Sequence, residues 1–160
     1  MERLDTAADK KTVALACPHD EHTQQVIARA LDKGIARFVL TLSKPLQGEF
    51  AGLVEKHADS VRVVECNDDV EAAAKAVEIV RCHEANILMK GSLNTDVLLK
   101  AALDNERGIR VQDKVMTHIA MAHIPGYRKL LMFSDAAVIP HPTLEQFDAI
   151  VAYCADACHR

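Results

Sequence analysis

Apolar residues in this chain fall into short unbroken runs, separated by longer segments in which they recur every three or four positions. Runs of that length read as strands buried on both faces, and the recurrences read as helix faces. Residues 12–17 form the first run. Asp20 then caps a helix whose inward face is Val26, Ile27, Ala30 and Leu31, with Gly34 at its left-handed end. Residues 38–42 form a second strand, after which Ser43 is a cap and Pro45 lies in the first helical turn. Leu46, Phe50, Leu53 and Val54 make that helix's stripe, weakened by Gly48 and Gly52 at about 1 kcal/mol each. Residues 61–66 form a third strand. Asn67, Asp68 and Asp69 offer caps for a helix with Val70, Ala73, Ala74, Val77 and Val80 on one side. Residues 87–89 are a fourth, buried strand ended by Lys90, Gly91 and Ser92. Asn94 or Thr95 caps the helix that follows, with Val97, Leu98, Ala101 and Ala102 on its face.

Four strands alternating with four helices predict an α/β fold, a three-layer αβα Rossmann-like sandwich around a mainly parallel sheet. Residues 104–114 are polar and aperiodic, and read as a loop. Residues 117–124 and 127–134 flank Pro125-Gly126, which predicts an antiparallel hairpin near the C-terminus about a two-residue turn, making the sheet mixed. Thr143 and Gln146 form a capping box for a last helix with Leu144, Phe147, Ile150, Val151 and Cys154 as its stripe. No repeat, low-complexity tract or boundary interrupts the pattern, so a single domain over residues 1–160 is expected.

Composition narrows the field. With 49% apolar residues and no Trp, the core must be built from Val, Leu, Ile, Ala and Met. A net charge of −4 gives no global attraction for nucleic acid or an anionic membrane, so a polyanionic ligand needs a local basic patch. No apolar run approaches the roughly 20 residues of a membrane span, and the first residues are polar where a signal peptide is apolar; a cytoplasmic protein is expected. Five cysteines, an odd number without framework spacing, fit reduced thiols. Cys154, Cys158 and His159 have ligand-like spacing, but Cys154 lies on an apolar stripe, so no metal site is expected.

Ligands of parallel sheets sit beyond the carboxyl ends of the strands, where His19, Ser43, Asn67 and Lys90 should share one rim. The Lys90-Gly91-Ser92 turn, running into a helix N-terminus, offers unpaired amides beside an ammonium group, a place where phosphate can sit. Neither G-x-G-x-x-G nor G-x-x-x-x-G-K-[ST] occurs after a strand, which disfavours a nicotinamide-dependent oxidoreductase.

MKGSLNTDVLLKAAL at residues 89–103, GIR at 108–110, PGYRKLLMFSDAAV at 125–138 and PTLEQ at 142–146 together resemble the phosphate acetyl/butyryltransferase family. The likeness is strong from about residue 86 onward and general before it. It implies interconversion of acyl-CoA and phosphate with acyl phosphate and free coenzyme A. Coenzyme A is then a substrate, with no covalently bound cofactor, and a homo-oligomer is expected. Members of the family are considerably longer, which implies that this chain corresponds to an N-terminal portion. By resemblance, Lys90, Gly91, Thr95, Lys100 and Arg110 are candidates for holding phosphate, with Thr117, Ser134 and Asp135 as further candidate contacts. Where relatives often carry arginine, Lys100 keeps the charge and loses the bidentate fork. Thr117 stands where serine is common, and Ile139 replaces an asparagine. The thiol-activating Asp of the family lies in the C-terminal part, so no base is assigned here and little turnover is expected. The alternative is a non-catalytic module that binds coenzyme A or acyl phosphate.

Overall fold

The structure is a computed structural model that describes residues 10–112 and 114–159. Contacts divide the chain into two compact units, one ending at Arg110 and one beginning at Val111. The first unit runs β1 (Lys11–Ala16), α1 (Glu21–Asp32), β2 (Ala36–Leu42), α2 (Gly48–Lys56), β3 (Val61–Glu65), α3 (Asp69–Arg81), β4 (Ile87–Lys90) and α4 (Thr95–Ala102). Its strands form one parallel sheet in the order β3-β2-β1-β4. The chain winds outward through β2 and β3, then α3 carries it back across the sheet to place β4 on the other side of β1. Strand order therefore reverses between β1 and β4, where Leu15 pairs with Leu40 on one side and Met89 on the other.

Alternation along the strands sends two side-chain sets to opposite faces. Val13, Leu15, Phe38, Leu40 and Leu42 pack with Ile27 and Leu31 of α1 and Phe50 and Val54 of α2. Ala14, Ala16 and Val39 pack with α3 and with Leu98 and Ala102 of α4. The expected three layers are thus present in the first unit. The α3 face is not the valine face expected from sequence: Ala72, Ala73, Ala76, Val77 and Ile79 are buried, while Val70 and Ala74 are exposed. Alanines against Ala14 and Ala16 let the helix approach the sheet closely, so that buried Thr41 donates its hydroxyl to the Ala72 carbonyl at 2.8 Å. Val26, likewise expected inward, is exposed on α1.

Two local expectations shift. The second helix starts at Gly48 rather than beside Ser43, with Gln47 as an N-cap that makes no side-chain bond. Pro45 keeps its predecessor out of the helical region, and Gly48 at φ 61° supplies the left-handed step that delays the helix. Although β4 was expected to be buried, it is an edge strand with Ile87 exposed, because among the described residues only β1 pairs with it.

The second unit contains β5 (Ala120–Ala122), β6 (Leu131–Phe133) and α5 (Leu144–His159). The hairpin is antiparallel as expected, but it forms a two-stranded sheet of its own rather than joining a mixed sheet. Pairing begins at Ala122 and Leu131, so the connection spans residues 123–130 instead of two. Pro125 and Gly126, the latter at φ 87°, do form a turn, closed by the Tyr127 amide on the Ile124 carbonyl at 3.0 Å. A turn with Pro then positive-φ Gly splays the flanking chains against the strand twist, which pushes pairing outward. The capping box is present: the Thr143 amide donates to Gln146 Oε1 at 2.9 Å, and the Gln146 amide to Thr143 Oγ1 at 3.3 Å. Of the predicted α5 stripe only Ile150 is buried; Leu144, Phe147 and Val151 are exposed. Among the described residues no helix is long and apolar enough to cross a membrane.

Gly91, like Gly108, stands where backbone leaves no room for a side chain. Its amide donates to the Ala16 carbonyl at 2.8 Å, and a Cβ there would collide with the backbone of Cys17 and Ala16. Gly91→Ala should cost about 1–3 kcal/mol through forced backbone displacement, read as a lower urea midpoint at unchanged slope. An unchanged midpoint would show that the turn can move away from β1 freely.

Candidate functional site

The carboxyl ends of β1 and β4 meet at the strand-order reversal, the usual location of ligands in such sheets. From β1 the chain enters Cys17, at φ 55°, then Pro18 and His19; from β4 it enters Gly91 and Ser92. The Ser92 amide and hydroxyl both donate to the Cys17 carbonyl, at 2.8 and 2.9 Å. This overturns part of the expectation, since the Gly91 and Ser92 amides are spent on β1. Asn94 caps α4, accepting the Asp96 amide at 3.1 Å, and its carbonyl accepts the Val97 amide. The amides of Leu93, Asn94 and Thr95 are left without a partner among the described residues. Thr95 is the first residue of α4 and is exposed.

Lys90 turns back over this corner, its ammonium donating to the carbonyls of Gly91 at 3.0 Å and Leu93 at 3.1 Å. Lys100 instead lines a groove of about 620 Å³ between α3 and α4, with Val70, Glu71, Ala74, Val97 and Ala101, and Lys90 has no part in that lining. Arg110 is exposed at the end of the first unit.

A second polar group lies along the same rim, one strand over. Ser43, directly after β2, has its Oγ 3.3 Å from His19 Nε2, and Asp69 stands at the start of α3. Cys17 Sγ lies 3.5 Å from both Ser43 Oγ and Asp69 Oδ1. The neighbouring Ser43 hydroxyl, opposed by burial, holds the Asp69 carboxyl below its ordinary value, with Cys17, Lys44 and His19 adding to the effect. Burial and the Lys44 charge push His19 down, against Asp69 and Asp20, so its imidazole is neutral near pH 7. Burial pushes the Cys17 thiol up despite the Ser43 bond, and it stays protonated. Spacing placed His19 and Ser43 on this rim correctly. Asn67 instead bonds Glu71 Oε2 through its amide and its side chain, and Asp69 takes the third place.

In the second unit, Thr117, Ser134 and Asp135 come together. Asp135 Oδ2 accepts from Thr117 Oγ1 at 2.8 Å and from the His118 amide at 3.1 Å; Oδ1 accepts the Ala137 and Val138 amides at 2.9 and 2.8 Å. Ser134 Oγ donates to the His118 carbonyl and lies 3.2 Å from Thr117 Oγ1. Burial pushes the Asp135 carboxyl up, but the four donors outweigh it and hold the group well below the usual carboxylate range. Its oxygens are occupied within the unit, tying the segment before β5 to the one after β6. Among the described residues no group of three or more His, Cys, Asp or Glu could hold a metal ion.

A parallel sheet whose strand order reverses at a glycine corner, with helices on both faces, defines a three-layer α/β protein. Residues 49–160 match the family model described as phosphate acetyl/butaryl transferase, and the chain belongs to that family. It is 33% identical over 149 residues to a probable phosphate butyryltransferase of Bacillus subtilis, covering 93% of this chain and 49% of that protein. A phosphate butyryltransferase of Clostridium beijerinckii is 31% identical over 142 residues, and a phosphate acetyltransferase of Thermotoga maritima 29% over 147. These alignments cover 89% and 90% of this chain, and 46% and 48% of the two proteins. The chain thus spans about half the length of the curated relatives it matches. A branched-chain phosphotransacylase from Enterococcus faecalis shares the fold, with a TM-score of 0.77 at 24% identity over 93% of this chain and 51% of that one.

The Asp135 tie has a pH signature. Because its folded pKa is depressed, its stabilisation is complete above the unfolded value near 4 and drains away as pH falls through and below it. Amide protection in β5 and β6, followed by hydrogen exchange, should therefore decline below about pH 4. Asp135→Asn should lower protection at neutral pH and flatten that decline; an unchanged acid limb in the variant would assign it to another group.

Proposed function

We propose that this chain serves the interconversion of acyl-CoA and phosphate with acyl phosphate and coenzyme A, and that its first unit presents the phosphate-facing part of the site. The observation that carries this reading is the Gly91 corner at the β1/β4 reversal, where the amides of Leu93, Asn94 and Thr95 are unpaired among the described residues, with Asn94 and Thr95 exposed at the start of α4. Helix N-termini attract anions because unpaired N–H groups and the helix dipole act together. Lys90 adds to this indirectly: by covering the Gly91 and Leu93 carbonyls it removes their negative ends from the corner. Lys100 and Arg110 are the cations we assign to the phosphate. Coenzyme A enters as substrate. The thiol base is left unassigned, and turnover by the chain as it stands is expected to be slight. We place the protein in the cytoplasm, where its five free cysteines remain thiols, and expect self-association through exposed apolar side chains such as Met121, Leu130 and Phe147.

Inorganic phosphate titrated into the labelled chain should shift the amide resonances of Leu93, Asn94 and Thr95 ahead of all others. Arg110→Ala should weaken the apparent affinity roughly tenfold, the loss expected of one charge-assisted contact. Acyl-CoA formation from acetyl and butyryl phosphate reports on the whole reaction. If saturating phosphate left those three amides unmoved, the corner would not be the anion site.

A further inference from the structure

The groove of about 620 Å³ between α3 and α4 falls within the roughly 300–1,000 Å³ that small-molecule sites occupy, and every residue lining it belongs to the first unit. Its floor is apolar, with Val70 and Ala74 from α3 facing Val97 and Ala101 from α4. Val70 is 64% exposed there, an apolar side chain that folding leaves open to water. The walls carry four cations against three carboxylates, an excess of positive charge on a chain whose net charge is −4.

Hydrogen bonding decides which of those charges are available. Glu71 Oε2 accepts from the Asn67 amide and side chain at 2.7 and 2.6 Å, and Glu78 Oε2 accepts from Lys75 at 2.7 Å. Asp104 Oδ1 accepts the Glu106 and Arg107 amides at 2.9 and 2.7 Å. Arg81 donates to the Glu106 carbonyl at 3.2 Å, which fixes the turn that carries Arg107. The Lys100 ammonium and the Arg107 guanidinium make no hydrogen bond or ion pair among the described residues, although Glu78 and Asp104 feel the Arg107 charge. Every carboxylate on the walls thus has its donor, while two cations have no acceptor.

We propose that this groove binds the anion of a free fatty acid, its carboxylate on Arg107 and its chain along the floor toward Val70. A single negative charge matches the small excess of cations. A phosphomonoester or a coenzyme A thioester would set further negative charge against Glu78 and Asp104. The guanidinium fork can donate two parallel bonds to a carboxylate, which the Lys100 ammonium cannot. Because Arg107 is exposed, the ion pair selects the charge, and covering the apolar floor supplies most of the affinity.

Decanoate titrated into the labelled full chain in phosphate-free buffer should saturate at one molecule per chain and shift the amide resonances of Ala74, Val97 and Ala101. Decanol lacks the charge and acetate lacks the chain, so each should bind at least about tenfold more weakly. Arg107→Ala should weaken decanoate binding about tenfold. Ala74→Phe fills the floor from an exposed position and should abolish binding at an unchanged urea midpoint. Decanol binding as tightly as decanoate, or decanoate shifting the apolar residues of α5 in place of the groove, would overturn the inference. So would uptake confined to phosphatidylglycerol vesicles, or a groove closed to decanoate by a second copy of the chain, seen as a change of sedimentation in Ala74→Phe. None of these outcomes bears on phosphate binding at the α4 amides.

Discussion

Everything at the carboxyl rim depends on how closely the β4–α4 corner approaches the end of β1. The Gly91 amide on the Ala16 carbonyl, and the Ser92 amide and hydroxyl on the Cys17 carbonyl, prolong the β1/β4 pairing past the last strand residues. Only a residue without a Cβ can sit at 91. With the corner held there, the start of α4 lies beside the crevice, the Cys17 backbone is locked in its left-handed turn, and His19 is aimed at Ser43. One steric requirement thus links the unpaired amides before and at the start of α4 to the hydroxyl cluster one strand away.

The two faces of the first unit's sheet solve packing differently. On the α1 and α2 side, Leu15, Ile27, Phe38 and Leu40 fill the space with large side chains. On the α3 and α4 side, alanines on strand and helix shorten the separation and bring the α3 N-terminus over the rim. That close approach is what carries Asp69 to Ser43 and Cys17. The fold's least voluminous side chains therefore have a direct effect on the chemistry, since larger residues at 72, 73 or 76 would lift α3 and separate the carboxylate from the hydroxyl.

Much was legible in the chain. Asp20 caps the helix it was expected to cap, and the structure takes Asp68 from Asn67, Asp68 and Asp69 and Asn94 from Asn94 and Thr95, because a side-chain oxygen just before an apolar period satisfies amides locally. The capping box of α5 is equally local. Strand positions followed from apolar runs, and the rim placement of His19 and Ser43 followed from strand ends. Ranking helix faces by hydrophobicity failed at Val26 and Val70, where burial followed fit to the sheet instead of side-chain size. The turn at residues 125–126 was legible as a turn, yet its twist was incompatible with tight pairing, which moved β5 and β6 apart along the chain.

Sequence by itself determined the order of elements, most of their caps, the parallel sheet and the likeness to phosphate acyltransferases, because each is written in local propensity, periodicity or motif. Tertiary structure decided which polar groups meet. Lys90 went to its own turn's carbonyls and Lys100 to a groove between helices, while Thr117, Ser134 and Asp135 closed on one another. His19, Ser43, Asp69 and Cys17 converged across up to 52 positions of chain. A long side chain spends its hydrogen-bonding capacity on whatever partner the packed backbone brings within about 3 Å, and spacing along a chain carries no record of that distance.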